Sequence, residues 1–167
     1  MKVFLYLLFF LQTAFLISCN TKRRDFTVKT PYGWEVKDSV SERFGRSVNM
    51  HPPVISTTPV FVENIIISII QFPSLDIYRS TALKSIESES VYFEIKGEGR
   101  QSINNYEMEW EQHIIQHKKS DETVEQKVYF LSYKGNIYQI VCTTYAKQMK
   151  RFQFFIDQVL QSFKIID

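Results

Sequence analysis

The chain has 167 residues, with 20 Lys and Arg against 18 Asp and Glu, so its formal net charge is only +2. A balance this even excludes the strongly basic footprint of a nucleic-acid-binding protein. Five glycines and five prolines are too few for a disordered or low-complexity chain, and the length suits one folded domain.

The first eighteen residues predict an export signal. Lys2 is followed by the apolar run VFLYLLFFLQTAFLI, which Gln12 and Thr13 interrupt. A membrane-spanning helix needs about 20 apolar residues, and this run is shorter. A short basic start and an apolar stretch of this length are typical of a secretory signal peptide at residues 1–18.

The signal ends in Leu-Ile-Ser-Cys, which resembles the bacterial lipobox. The resemblance implies cleavage before Cys19 and fatty acylation, palmitate included, of its sulfur and new amino terminus. An ordinary signal peptide or a membrane anchor with an incidental cysteine is the alternative. Residues 19–24 then form the lipidated cysteine and a short tether, and residues 25–167 form the domain. The tether's basic residues 22–24 either contact anionic headgroups or only keep a linker soluble.

The first part of the domain predicts little regular structure. Strands are expected at 26–30 and 34–36, joined by a turn, with Tyr32 and Trp34 as core anchors rather than ligand platforms. Ser, Asn, Gly and Pro residues break every period over 37–62, which we interpret as a long irregular connection. It is a binding loop, using His51 with Arg43 and Arg46, or else a mobile surface loop.

The rest of the domain has clear periodicities. A β-branched run predicts a buried strand at 64–72, followed by a helix at 75–90 and a strand at 91–96. Gly97, Gly99, Asn104 and Asn105 are turn or bulge signals. Strands at 106–116, 123–133 and 137–145 form an antiparallel meander. The last helix has its apolar residues on one stripe, at Phe152, Phe155, Ile156, Val159, Leu160 and Phe163.

These elements give the order β-β-β-α-β-β-β-β-α, an α+β fold. The meander strands are apolar on both faces, as in KVYFLSY at 127–133, so both faces of the sheet are expected to be covered. The predicted architecture is an antiparallel β-sheet flanked by helices.

The sequence resembles a known family in four segments, which are, in chain order, PYGWEV, ENIIISI, GNIYQIVCTT and FFIDQVLQSFKI. It is the domain shared by the photosystem II protein PsbP, the Mog-type Ran-binding proteins and small bacterial lipoproteins of the DcrB kind. The resemblance spans about residues 25–165 and implies an α-β-α sandwich. It also implies a protein that docks onto a larger assembly and catalyses no reaction. Residues 40–60 depart most from the family pattern.

One strand carries residues that could do chemistry. In YEMEWEQHIIQH, alternation places Glu107, Glu109, Glu111, His113 and His117 on one face. His113 and His117 lie about 13 Å apart on a strand, too far for one metal ion. A glycosidase-like carboxylate pair would need a cleft. We interpret the row as a solvated strand face with Lys127 opposite, so no metal, cofactor or catalytic residue is predicted.

Two cysteines occur, Cys19 and Cys142. If Cys19 carries lipid, Cys142 has no partner for an internal disulfide, and its apolar context YQIVCTTY predicts a buried, unreactive thiol. Cys19 is therefore the one predicted modification site.

The expected function is that of a non-catalytic binding or accessory module for another envelope protein. Its membrane contact would be the lipid anchor, and no nucleic-acid partner is expected. A periplasmic carrier of a small ligand or metal is the alternative. Since the tether has no acidic run and Asn20 is not aspartate, the periplasmic face of the outer membrane is the expected location.

Overall fold

The computed structural model describes residues 25–41, 45–54, 63–118 and 121–166. These residues form nine strands and two helices, in the order β1 Asp25–Thr27, β2 Glu35–Ser41, β3 Gly45–His51, β4 Asn64–Ile70, α1 Leu75–Glu89, β5 Ser90–Ile103, β6 Tyr106–His117, β7 Thr123–Tyr133, β8 Asn136–Tyr145, α2 Met149–Ser162 and β9 Lys164–Ile166. The predicted signal peptide, Cys19 and the tether lie outside the described residues and stay predictions.

The main sheet has seven strands in the order β2-β3-β4-β8-β7-β6-β5, and each neighbouring pair is antiparallel. The strands β1 and β9 form a separate two-stranded sheet, in which Phe26 lies opposite Ile165. The two helices lie on opposite faces of the main sheet. The predicted α+β fold, an antiparallel sheet flanked by helices, is therefore confirmed.

The main hydrophobic core lies between α2 and the sheet. Every fourth or third residue of α2 is apolar, and this stripe is buried at Met149, Phe152, Ile156, Val159 and Leu160. Facing it are inward residues of the central strands, among them Ile65, Ile67, Tyr129, Tyr138 and Ile140. The predicted helix and its stripe are confirmed, with one difference. Phe155 is only partly buried, at the edge of the core, where its ring lies 5.0 Å from that of Trp34.

The helix α1 covers the opposite face more loosely. It begins after Ser74, whose hydroxyl accepts a hydrogen bond from Ile77 N at 3.3 Å, as an N-cap residue does. None of its fifteen residues, all of which the structure describes, is fully buried. Its inward side chains are half-buried, and Tyr78 adds a 3.0 Å hydrogen bond from its Oη to Gln139 Oε1 on β8 and a ring contact with Phe130.

The predicted irregular connection at 37–62 is wrong over its first half. Strands β2 and β3 form an antiparallel hairpin there, with Glu35 opposite His51. The strand β2 is the outer strand at its end of the sheet, and Val36 and Val40 are exposed. Because neither face of β2 is buried, its sequence carries no alternation that could reveal a strand. Residues 55–62 lie outside the described residues.

The prediction that β5 ends at Lys96 is also wrong. The strand runs to Ile103, with register shifts at 90–92 and 95–97, and the chain reverses only at Asn104 and Asn105, which have positive φ angles of 50° and 66°. The register shift at 95–97 agrees with Gly97 as a bulge signal, whereas Gly99 marks neither a turn nor a register shift. A Cβ atom at Gly99 would lie 3.0 Å from Nε1 of Trp110, so Gly99 leaves room for the indole ring on β6.

The two predicted core anchors near the first turn differ. Trp34 is partly buried, and its ring lies 5.9 Å from that of Phe152, as predicted. Tyr32 is fully exposed, so its prediction as a core anchor is wrong. Both residues flank Gly33, whose φ of 77° marks the turn. The turn directs only one of the two rings inward.

Candidate functional site

The acidic row of β6 lies on the sheet face that α1 covers. In register, Glu109 is opposite Arg100 of β5, and Glu111 is opposite Glu98. The side chains of Glu111 and His113 are only 3% and 1% exposed. The interpretation of this row as a solvated strand face is therefore wrong at Glu111 and His113, whereas Glu107 and His117 at its ends are exposed as predicted. The alternation of β6 correctly placed these residues on one face of the strand, but α1 packs over that face and buries Glu111 and His113.

Arg79 of α1 forms ion pairs with carboxylates of the acidic row. Its Nε donates to Oε1 of Glu111 at 2.5 Å, and its Nη1 donates to Oε2 of Glu109 at 2.6 Å. Its Nη2 also reaches Glu98 at 3.5 Å. The guanidinium lies 5.7 Å from the ring centre of Phe130, which closes the site from the side of β7. Three carboxylates therefore converge on one cation.

His113 lies beneath this cluster. Its Nε2 is 3.2 Å from Oε2 of Glu111, and its ring centre is 5.3 Å from that of Phe93 on β5. Both ring nitrogens are buried, and neither makes a hydrogen bond of good geometry among the described residues. The Arg79 guanidinium, the Glu111 carboxylate and the His113 imidazole therefore lie together in one largely buried cluster.

The electrostatics keep Glu111 ionised. Burial by itself raises the pKa of this carboxyl group, but the nearby His113 Nε2 and the Arg79 guanidinium outweigh burial, and the net pKa is below the ordinary value. A carboxyl group that acts as a general acid needs the opposite shift. Because Glu109 is also bound, by Arg79 and by Arg100 at 3.1 Å, the row is arranged for ion pairing.

A cleft of about 390 Å³ opens beside the cluster, between α1 and the strands β5 and β6. Its lining is mixed in charge and consists of Asp76, Arg79, Ser80, Leu83, Lys84, Glu87, Ile95, Glu98 and Glu111. Ile95 at its edge is 51% exposed. The cleft joins the buried ion pairs to the surface, and His113 is absent from its described lining.

Lys127 was predicted to lie opposite the acidic row, but it is on the other face of the sheet. Its Nζ lies 4.9 Å from the ring centre of Trp110 and 5.3 Å from that of Tyr129, on the α2 side of the sheet. Burial lowers the pKa of this lysine. The error was one of register, because Lys127 pairs with Gln112, a residue of the other face of β6.

The structure separates the remaining candidates. Arg46 binds Asp25 and Asp38, both at 2.6 Å, and so holds β1 to the hairpin instead of serving a binding loop. His51 ends β3, where its Nδ1 lies 2.9 Å from Pro52 O, and His117 is exposed at the end of β6. Arg43 lies outside the described residues. Cys142 is completely buried, and burial raises the pKa of its thiol.

Two further findings concern the described residues as a whole. No group of three or more His, Cys, Asp or Glu side chains within them is arranged to hold a metal ion. No helix within these same ranges is long and apolar enough to cross a membrane.

Sequence reasoning missed Arg79, although a signal was present. The apolar residues of α1 that recur at helical spacing are Leu75, Tyr78, Ala82, Leu83 and Ile86. Arg79 falls on this same stripe, four residues after Leu75 and four before Leu83. A cation on the inward stripe of a helix requires a buried anion, and the acidic row of β6 was the available partner.

Comparisons with solved structures agree on the architecture. The solution structure of cyanobacterial PsbP from Synechocystis matches with a TM-score of 0.56 and 15% identity, over 90% of this chain and 99% of that one. The crystal structure of the Ran-binding protein Mog1p from Saccharomyces cerevisiae matches with a TM-score of 0.54 and 12% identity, over 85% and 90%.

This chain has the PsbP/Mog-like fold. The expected resemblance in fold is thereby confirmed. LpqN from Mycobacterium tuberculosis, a protein involved in cell envelope biogenesis, shares the PsbP/Mog-like fold at a TM-score of 0.55 and 12% identity, over 90% of this chain and 88% of that one. No protein-family model and no curated protein sequence matches the chain.

Proposed function

We propose that this chain is a lipid-anchored accessory module of the bacterial cell envelope. In this proposal Cys19 carries the anchor, the domain lies at the periplasmic face of the outer membrane, and it binds another envelope protein without catalysing a reaction. Two things support the setting. The sequence ends its export signal in a lipobox-like cysteine, and LpqN, which shares the fold, is involved in cell envelope biogenesis.

The observation that carries the binding role is a set of exposed apolar side chains on α1 and on the outer strand β5. Val91, Tyr92 and Ile95 of β5 are 70%, 47% and 51% exposed, and Ile77 of α1 is 53% exposed. Exposed apolar groups of this size on neighbouring elements are typical of a protein-binding surface. In the described sheet β5 is also an outer strand, so its free edge offers backbone groups to a partner.

The ion-pair geometry supports a non-catalytic role. Each buried carboxylate of the acidic row is bound by an arginine, and Glu111 has a lowered pKa. An internal carrier is less well supported, because aromatic side chains fill the space between α2 and the sheet. Phe152, Phe163 and Tyr129 are each at most 1% exposed there. Binding at the surface is the role that this filled interior favours.

Site-specific photocrosslinking tests the proposal in the intact cell. A photoreactive residue replaces Val91 in one variant and Val40 in a matched control, since Val40 is similarly exposed, at 65%, on the opposite outer strand β2. We expect a discrete adduct with one envelope protein from position 91 and a much weaker one from position 40. Equal adducts from both positions, or none from position 91, would contradict a binding surface on α1 and β5.

A further inference from the structure

A groove of about 630 Å³ lies between the chain that follows β1 and the last two turns of α2. One wall is formed by residues 27–30, and the other by residues 158–164, which include the start of β9. Its described lining is Thr27, Val28, Lys29, Thr30, Gln158, Gln161, Ser162 and Lys164. The pairing of β1 with β9 holds the two walls together.

The groove is cationic and rich in hydrogen-bonding groups. Its described lining contains two lysines, hydroxyl groups and amides, and no Asp or Glu. The cleft beside α1, in contrast, is mixed in charge, with four carboxylates beside Arg79 and Lys84. Neither Lys29 nor Lys164 has an ion pair among the described residues, and both are exposed. An anion with hydroxyl or phosphate oxygens would therefore meet favourable partners on both walls.

The C-terminus of α2 repels an anion less strongly than an uncapped helix C-terminus would. A helix C-terminus concentrates unpaired carbonyl groups and partial negative charge. Here Asn104 Nδ2 donates to the carbonyls of Leu160, Gln161 and Phe163 at 3.0, 2.8 and 3.1 Å. The hydroxyl of Ser162 accepts from Lys29 N at 2.8 Å. With these acceptors occupied, the lysines set the charge of the groove.

The position of the groove, close in sequence to Cys19, indicates which anion it would meet. The described chain begins with β1 at Asp25, six residues after Cys19, and residues 27–30 follow at once. Eight extended residues span at most about 27 Å, so Thr27 cannot lie farther than this from an anchored Cys19. The intervening Lys22, Arg23 and Arg24 add positive charge along that path.

We infer that this groove binds the headgroups of anionic phospholipids in the membrane that carries the anchor. The inference rests on the proposed membrane attachment for its geometry and adds an orientation to it. The domain would turn the β1–β9 side and the end of α2 toward the bilayer. Each lysine near an anionic surface gains roughly 1 kcal/mol, a fivefold change in occupancy.

Amine labelling of the full chain tests the inference. The protein, purified in detergent, is incorporated into vesicles of phosphatidylcholine alone or with added phosphatidylglycerol. We expect Lys29 and Lys164 to react roughly fivefold more slowly when phosphatidylglycerol is present. Lys84 and Lys150, which are also exposed, serve as internal controls and should react equally fast in both vesicles. Equal reactivity of all four lysines in both membranes would overturn the inference.

Two double variants separate the groove from general surface charge. Q158E/Q161E places two carboxylates in the groove, whereas Q71E/Q101E places two on exposed positions of the sheet and its loops, with the same change in net charge. The groove variant should lose the protection of Lys164, and the control should keep it. Protection that survives in both variants overturns the groove as the binding site.

The anchor is measured separately, by co-flotation with vesicles and by the mass of the N-terminal peptide. A chain that co-floats without fatty modification contradicts the proposed anchor alone. A co-floating chain with no selective protection contradicts the groove alone.

Discussion

Arg79 of α1 and Glu111 of β6 form a buried ion pair across the interface between helix and sheet, with Nε 2.5 Å from Oε1. This ion pair is important for holding α1 on the sheet, because α1 has no fully buried residue of its own. The helix α2 is held by a fully buried apolar stripe, and α1 is held by a half-buried stripe together with the ion pairs of Arg79. The packing of the two helices therefore depends on different interactions. Mutation and pH should affect the packing of α1 and of α2 differently.

Arg79→Met should lower the free energy of unfolding by about 3–5 kcal/mol, because it leaves Glu111 buried without its cation. Urea denaturation measures the effect. Arg100→Met is the matched control, since Arg100 binds Glu109 from a position that is 77% exposed. The control should cost at most about 1 kcal/mol. Equal losses in the two variants would contradict the importance of burial at this pair.

The same pair predicts a dependence of stability on acid. Because the folded-state pKa of Glu111 lies below its ordinary value of 4.5, its contribution is present above that pH and is lost as pH falls through the lowered pKa. The groups that face Glu111 are Arg79, Glu98, Glu109 and His113.

Glu111→Gln removes this titration while conserving shape. The wild-type protein should be the more stable at neutral pH, and the difference between the two free energies of unfolding should shrink below pH 4.5. Urea denaturation of both proteins across the acid range measures it. A difference that is constant with pH would show that Glu111 does not titrate as described.

Three phenylalanines of α2 form a graded test of burial. Phe152 is 1% exposed, Phe155 is partly buried and Phe154 is 63% exposed. Phe152→Ala should cost about 3–5 kcal/mol, and Phe154→Ala about 0.5 kcal/mol or less. Phe155→Ala should fall between them, because its ring keeps contact with Trp34. Thermal melts that rank the three differently would contradict the observed orientation of α2.

Two glycines of β5 should respond differently to alanine. At Gly99 a Cβ would lie 3.0 to 3.1 Å from the Trp110 indole, whereas at Gly97 the nearest atom is 3.5 Å away. Gly99→Ala should therefore destabilise the protein, by about 1 kcal/mol or more, through overpacking. Gly97→Ala should be neutral or stabilise by up to about 1 kcal/mol. Tryptophan fluorescence should shift in the first variant only.

Cys19→Ser tests the anchor directly. We expect either a soluble domain or an uncleaved precursor, because acylation of this residue would supply most of the membrane affinity. Cys142→Ala is the control, since Cys142 is completely buried and should have no part in processing. Fractionation and the mass of the N-terminal peptide provide the readout. Unchanged processing and membrane association in Cys19→Ser would contradict the proposed lipid anchor.

The sequence by itself determined the elements whose periodicity is local. The stripe of α2 and the alternation of β6 are visible because the buried residues recur with the period of a helix or a strand, and β7 and β8 are visible as apolar runs because both of their faces are covered. The turns at Asn104–Asn105 and Gly135 are visible because particular residues adopt positive φ angles there. Signals of this kind need no knowledge of neighbours, and they sufficed for the fold class.

Only the tertiary structure decided which polar residues are buried. Alternation placed Glu109, Glu111 and His113 on one face of β6, but the burial of that face depends on α1, whose Arg79 precedes Glu111 by 32 residues. The β2–β3 hairpin was hidden for the converse reason, because its outer strand is exposed on both faces and carries no pattern. Burial is a property of the assembled layers, so a single strand cannot encode it.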